Sequence, residues 1–351
     1  TVSKVLRNHT DIGPATRERV LKRAKELNYQ PNRAARSLVT GRSFTIAFVV
    51  PDLEHPFFGE IAKAIAGKLR SRDYSLFVSC TEENPEIEAH EIEVLLSRQV
   101  DAIILASSQP SARAPIFHRL QESGIPFVLI DRNFPSLSAN YVGVDDFAVG
   151  RTVTEHLLAM GCRNIAHLSR PKVSTGVGRL RGYRKALEDN QIAFDAAKVV
   201  ALESGDNCAE DAGFAAMNTL LARNQQLDAV FCYNDEVAIG ALRAVLAAGL
   251  SVPRDIAIIG VDNIRFADLL RVPLSSVDQN HHEIGERAAD LVLSLIDSKK
   301  PVPPVESLVP IQLVVRESTE EASSDSGGDK RRPSKGSKNR NNASKTAPPL
   351  K

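Results

Sequence analysis

The chain has 351 residues, 43% of them hydrophobic, and carries 44 Lys and Arg against 43 Asp and Glu, a formal net charge of +1. That size and hydrophobicity suit a globular chain of about two or three domains. No run of about 18 apolar residues is present, which excludes a transmembrane helix, and the polar first residues offer no signal peptide.

Four cysteines (Cys80, Cys162, Cys208, Cys232) lie far apart without a CxxC spacing. They suit a reducing cytoplasm, not a zinc ribbon or a disulfide framework. The charge is unevenly spread. Residues 1–43 hold ten basic and three acidic side chains, residues 44–329 hold 26 and 40, and residues 330–351 hold eight basic and none acidic. Two basic ends around an acidic middle suggest an end that meets a polyanion.

In chain order, Thr16–Tyr29 is the first predicted helix, with Val20, Leu21, Ala24 and Leu27 on one stripe. Pro31 can open a second, Pro31–Leu38, carrying Arg33 and Arg36 beside Ala34 and Ala35. A helix that short needs outside support, which suits folding on DNA or an ordinary interdomain linker. From Phe44 a new rhythm begins. Apolar runs at Phe44–Val50, Tyr74–Ser79, Asp101–Leu105, Pro126–Ile130 and Tyr141–Val144 alternate with helical stretches at Phe57–Ser71, Pro85–Arg98 and Ala114–Ser123. The alternation resumes past Asp145 and runs to Ile256–Gly260. Continuous apolar strands separated by helices predict an α/β fold with parallel sheets covered on both faces. About ten strands are too many for one ordinary doubly wound sheet, so two lobes in series are expected, with a break near Asp145. Residues 318–351, rich in Ser, Lys, Asn, Gly and Pro, are expected to be a disordered basic tail.

Several strands end on an acid or amide: Asp131-Arg132-Asn133, Asp145, Asn234-Asp235 and Asp262-Asn263. In open α/β sheets that edge binds ligands. Asp and Arg can bind hydroxyls or ring nitrogens, and aromatic rings stack on sugar or base faces. Each candidate has a structural alternative. Phe57 and Phe58 suit core packing at a helix start. Thr175 and Arg179, four residues apart, suit a cap and an ion pair. Asp131, Asp145 and Asp262 suit turns, and Asn234 suits an N-cap of the helix Glu236–Ala248. Enzyme motifs are absent: there is no GxSxG, P-loop or HExxH. Gly176, Gly178 and Gly182 approach a dinucleotide fingerprint, but Arg181 stands at the third required glycine. His281-His282 is adjacent, not metal-spaced, and reads as helix surface. No enzymatic activity, metal or cofactor is expected.

Thr1–Leu6 (TVSKVL), Asn8, Thr16–Val20 (TRERV), Leu27–Pro31 (LNYQP) and Asn32–Leu38 (NRAARSL) resemble the DNA-binding headpiece of the lactose/galactose-repressor (LacI/GalR) family. Val49–Glu60 (VVPDLEHPFFGE) and the rest, to about Glu317, resemble that family's effector-binding core. The resemblance implies a partial helix-turn-helix headpiece over 1–30, a hinge helix and linker over 31–43, and a periplasmic-binding-protein-like core over 44–317. Lobe 1 would comprise about 44–145 and 278–309, and lobe 2 about 146–277 and 310–317. It further implies that Thr1, Ser3, Lys4 and Asn8 contact phosphates or bases, and that Asn32, Arg33, Ala35 and Arg36 belong to a hinge helix in the minor groove. Leu38 would wedge between base pairs there. Phe57, Phe58, Asp131, Asp145, Thr175, Arg179, Asn234 and Asp262 would meet a sugar, sugar derivative or purine, Phe58 being the ring most expected in the cleft. The implied function is a homodimeric, cytoplasmic repressor of a palindromic operator, with no membrane partner. The family pattern also places a first helix ahead of Thr1, so the chain as written is expected to bind operator weakly. The alternatives are a solute-binding protein and a ligand sensor that has lost DNA binding.

Overall fold

The computed structural model describes residues 2–6, 11–29, 37, 40–202, 209–223, 226–298, 300 and 302–320. At the amino end α1 (Val2–Leu6) packs on α2 (Pro14–Glu26), burying Val5. The second helix starts earlier than its apolar stripe suggests, because Pro14 takes the first turn, where its fixed φ fits and its missing N–H costs nothing. None of its residues is buried. Thr1, Asn8 and the expected hinge residues Asn32, Arg33, Ala35, Arg36 and Leu38 lie outside the described residues, and Ser3 is described only as helix backbone.

The first half of the core runs β1 (Thr45–Val50), α3 (Pro56–Arg70), β2 (Ser75–Cys80), α4 (Pro85–Ser97), β3 (Ala102–Leu105), α5 (Pro115–Ser123), β4 (Phe127–Ile130) and β5 (Asn140–Gly143). The second runs α6 (Asp146–Ala159), β6 (Ile165–Ser169), α7 (Ser174–Asp189), β7 (Val199–Ala201), α8 (Ala209–Ala222), β8 (Ala229–Cys232), α9 (Asp235–Ala247) and β9 (Ala257–Ile259). The chain then passes through β10 (Ser276–Asp278), α10 (His281–Asp297), β11 (Glu306–Leu308) and β12 (Gln312–Val314).

Two parallel sheets result. Lobe 1 has the order β11-β5-β4-β3-β1-β2 and lobe 2 the order β7-β6-β8-β9. Alternating side chains on each central strand feed opposite layers, as a two-residue period requires. On β1, Ile46, Phe48 and Val50 pack towards α3 and α10, while Ala47 and Val49 pack towards α4 and α5. On β8, Ala229 and Phe231 pack towards α6 and α7, and Val230 and Cys232 towards α8 and α9. Burial on both faces explains the unbroken apolar runs.

The chain passes between the lobes after β5, after β10 and after β11. Strands β10 and β12 pair antiparallel, Asp278 opposite Gln312. The fold continues beyond residue 317. The Ser318 hydroxyl donates to the Ile258 carbonyl at 2.6 Å and accepts the Ser275 N–H at 2.8 Å, and Thr319 lies 2.9 Å from His156. Both residues are buried. A tail beginning at 318 is therefore corrected: residues 318–320 complete lobe 2. His281 is corrected too. It is buried against Phe57, with ring centroids 4.8 Å apart, while His282 is exposed. Among the described residues no helix is long and apolar enough to cross a membrane.

Of the near-fingerprint glycines of α7, Gly178 and Gly182 serve helix packing, while a Cβ on Gly176 would meet the Arg170 carbonyl at 2.0 Å. A Cβ on Gly182 would lie 2.1 Å from the Phe147 carbonyl oxygen, and one on Gly178 would lie 2.6 Å from Asp146 Cβ. From the other helix, a Cβ on Gly150 would meet the Arg179 carbonyl at 2.0 Å. Bare backbone is what allows α6 and α7 to approach so closely.

Candidate effector-binding site

The carboxyl ends of strands from both lobes open on one cleft of about 460 Å³. Lobe 1 contributes His55, Phe57 and Phe58 after β1, Glu83 after β2, and Asp131 and Arg132 after β4. Lobe 2 contributes Arg170 after β6, Arg179 on α7, Tyr233, Asn234 and Glu236 after β8, and Asp262 after β9. Both phenylalanines reach the cleft, and each is also mostly buried in the lobe 1 core.

Arg179 is the anchor of the lobe 2 wall. Its Nε donates to the Asp146 carboxylate at 2.9 Å and its Nη1 to the Tyr233 carbonyl at 2.7 Å. The guanidinium also lies over the Tyr233 ring, 4.8 Å from its centre. Burial lifts the Asp146 carboxyl to about 6 even though Arg179 opposes the shift. Thr175 is completely enclosed and spends its hydroxyl on the Tyr233 phenol at 2.7 Å. It orients Tyr233 and lies outside the cleft lining. Asp145 is likewise corrected. It is exposed, and its carboxylate accepts the N–H groups of Phe147 and Ala148, capping α6. The acid that touches the site machinery is its neighbour Asp146.

Asp131, directly after β4, and Asp262, beyond Gly260 and Val261 after β9, have φ of 59° and 112°. Non-glycine residues there are strained, and such strain collects at binding sites. Burial raises the pKa of both carboxyls, that of Asp262 well above the usual range, while Arg179 pulls both down. Gln279 Nε2 donates to Asp262 at 2.5 Å. Asn234 accepts the Val237 N–H as the N-cap of α9 and also lines the cleft.

Among the lining residues that the sequence reading did not name as candidates are His55, Glu83, Arg132, Arg170, Tyr233 and Glu236. Glu83 receives Arg132 in a two-pronged pair at 2.6 and 2.8 Å and Arg170 from the opposite lobe at 3.1 Å. Burial pushes the Glu83 carboxyl up, but the two arginines outweigh it and hold it at about 2. His55 accepts the Phe57 N–H through Nδ1. Its Nε2 lies 2.8 Å from the Asn234 amide and 3.5 Å from both Glu236 and Asp262. Burial, then His281 and the cleft arginines, lowers its pKa to about 3, so the imidazole is neutral at pH 7. The strand-end rule, applied to β2 and β6 as well, would have found Glu83 and Arg170. The same rule applied to β1 finds Asp52, whereas His55 stands five residues past the strand and gave no such signal.

Two parallel-sheet lobes around a polar, aromatic-lined cleft define a periplasmic-binding-protein-like ligand-binding core. Residues 43–317 match the family described as periplasmic binding proteins and sugar binding domain of LacI family, and residues 1–32 match bacterial regulatory proteins, lacI family. The chain belongs to the LacI family. It is 36% identical over 327 residues to the HTH-type transcriptional regulator CelR of Thermobifida fusca, covering 91% of this chain and 94% of that protein. It is 32% identical over 320 residues to the ribose operon repressor of Halalkalibacterium halodurans, covering 91% and 92%. A solved transcriptional regulator CelR–cellobiose complex superposes with a TM-score of 0.71 at 32% identity, over 91% of this chain and 95% of that one.

Proposed function

We propose that this protein is an effector-responsive transcriptional repressor that binds a sugar or sugar derivative between its lobes. The observation that carries this reading is the convergence of Asp131, Arg179 and Asp262 with Phe58 and Tyr233 in a single cleft lined from both lobes. Carboxylates and a guanidinium bind hydroxyls in pairs, and aromatic faces cover the apolar face of a ring. The match of residues 1–32 to the regulatory family supports operator DNA as the second partner. Thr1, Ser3, Lys4 and Asn8 would serve the headpiece, and Asn32, Arg33, Ala35, Arg36 and Leu38 the hinge. Lys4 is exposed and pairs with Asp11 at 2.5 Å, a surface contact that a phosphate can replace.

The mechanism is linkage. A ligand that contacts both lobes favours one relative orientation, and in a homodimer this changes how the paired hinge segments meet DNA. A thermal-shift screen of sugars and purines, followed by operator binding with and without the best ligand, tests it. The ligand should change operator affinity by at least about tenfold, a coupling of roughly 1.4 kcal/mol. Ligand binding without any DNA binding would favour a solute-binding protein or a ligand sensor that has lost DNA binding.

A further inference from the structure

Asp262 and Asn263 are successive non-glycine residues with positive φ, 112° and 53°. Asn visits the left-handed region readily through its short polar side chain, but Asp262 at 112° lies beyond that region. Such a backbone persists only where its surroundings over-determine it. The N–H groups of Asp262, Asn263 and Ile264 are all taken, by the Val277 carbonyl, the Ser276 hydroxyl oxygen and the Asp235 carboxylate, each at 2.9 Å. Val277 and Ser276 belong to β10, the strand that leads into the crossing to lobe 1.

Asn263 adds a second set of bonds through its side chain. Its Nδ2 donates to Asp278 at 2.9 Å, and its Oδ1 accepts from Arg316 Nη2 at 2.7 Å. Asp278 is the last residue of β10, and its other carboxylate oxygen accepts the Asn280 N–H at 2.6 Å. Asn280 in turn caps α10, accepting the Glu283 N–H at 3.3 Å. Arg316 lies just beyond β12, and its Nη1 donates to the Leu274 carbonyl at 2.7 Å. One amide thus joins the residue after the cleft acid to both arms of the β10–β12 ribbon. Through Asp278 and Asn280 the same bonds continue to a helix of the other lobe.

We propose that Asn263 is a positioning residue: its side chain fixes Asp262 to the crossing ribbon, so that the orientation in which Asp262 meets an effector and the relative orientation of the lobes are set together. This rests on the ligand-sensing role proposed above and gives a part in it to a residue outside the cleft lining.

A mere turn residue would need only the left-handed backbone, which glycine adopts freely. Asn263→Gly therefore keeps the turn and removes the side-chain ties. The full chain is titrated calorimetrically with cellobiose, ribose, glucose, galactose and hypoxanthine, and amide exchange is followed without ligand. For whichever probe binds the unaltered protein, Asn263→Gly should lower the affinity about tenfold or more, as losing hydrogen bonds to charged partners does. It should also speed exchange at Asp262–Ile264 and Ser276–Gln279. Asn263→Asp should weaken binding at least as much, because it sets a second carboxylate against Asp278. Combining it with Asp278→Asn again faces a donor with an acceptor: the new amide donates to the new carboxylate and still accepts the Asn280 N–H, and Arg316 keeps its partner. This swap should bring affinity back to within about threefold of the unaltered protein. Unchanged affinity in Asn263→Gly, or no recovery in the swap, overturns the positioning role and leaves ligand sensing intact. No binding by any probe at millimolar concentration overturns both. If Asn263→Gly does not fold, the comparison of Asn263→Asp with the swap decides alone.

Discussion

Arg179 and Glu236 show how differently charged groups fare in one cleft. Arg179 is enclosed but has two partners, so it stays charged. Arg179→Met would strand Asp146 in a buried setting. It should cost about 3 kcal/mol, as breaking a buried ion pair from one side does, and urea denaturation will measure it; a loss below about 1 kcal/mol would mean that Asp146 is rescued by solvent. Glu236 has no such partner among the described residues. Burial, reinforced by Glu210, Asp52 and Asp235, lifts its carboxyl from 4.5 to about 8. The folded protein therefore binds that proton more tightly than the unfolded chain does. Its contribution is fully present below pH 4.5 and is lost as pH rises through about 8. Glu236→Gln, in the ligand-free protein, should make little difference at about pH 5 and raise the unfolding midpoint at about pH 9. Equal midpoint differences at both pH values would contradict that assignment.

Among the elements, glycines divide into two kinds by what surrounds them. Gly182 lies where α7 touches α6, and Gly240 of α9 lies where a Cβ would meet the Glu210 carbonyl of α8 at 1.9 Å. Gly182→Ala should destabilise the protein by about 1–3 kcal/mol through overpacking against backbone that cannot yield. Gly67, exposed within α3, is the counterpart: a Cβ added there would have nothing within 4 Å among the described residues. Gly67→Ala should stabilise by about 0.5–1 kcal/mol by narrowing the unfolded ensemble. Thermal midpoints moving in the same direction for both would refute the distinction. This contrast also marks what the sequence makes legible. The apolar runs of β1, β3, β4 and β8 and their intervening helices can be read directly, because burial on both faces leaves an unmistakable composition. The use of Gly178 and Gly182 cannot, since it depends on which helix lies opposite. For the same reason Asp145 and Asp146 are indistinguishable in sequence. One caps α6 in solvent, the other meets Arg179, and only the turn into the helix decides between them. Asp131, Arg179, Asn234 and Asp262 were legible as strand-end or helix-face groups, whereas Thr175 spends its hydroxyl on a neighbour from another element.

For the whole molecule, the relation between lobes is what matters. Arg170 reaches Glu83, His55 reaches Asn234, and the Ser174 hydroxyl accepts the Asn133 N–H at 3.0 Å, each joining one lobe to the other. Arg170→Ala removes the charged tie. In the absence of ligand it should speed amide exchange at the start of α3 and around Tyr233, with little change in the strands behind them. Uniform acceleration across both lobes would instead report global destabilisation.

The antiparallel pairing of β10 with β12 gives these ties their mechanical meaning. Both strands run between the same two lobes, so the pairs Ser276–Val314, Val277–Leu313 and Asp278–Gln312 make the two crossings one ribbon, which a swing of the lobes twists as a unit. A ribbon of that kind suits the spine of a book. A movement too small to expose the cleft becomes an arc that widens with distance from the spine, and a segment attached far from it receives the largest displacement for the same opening angle.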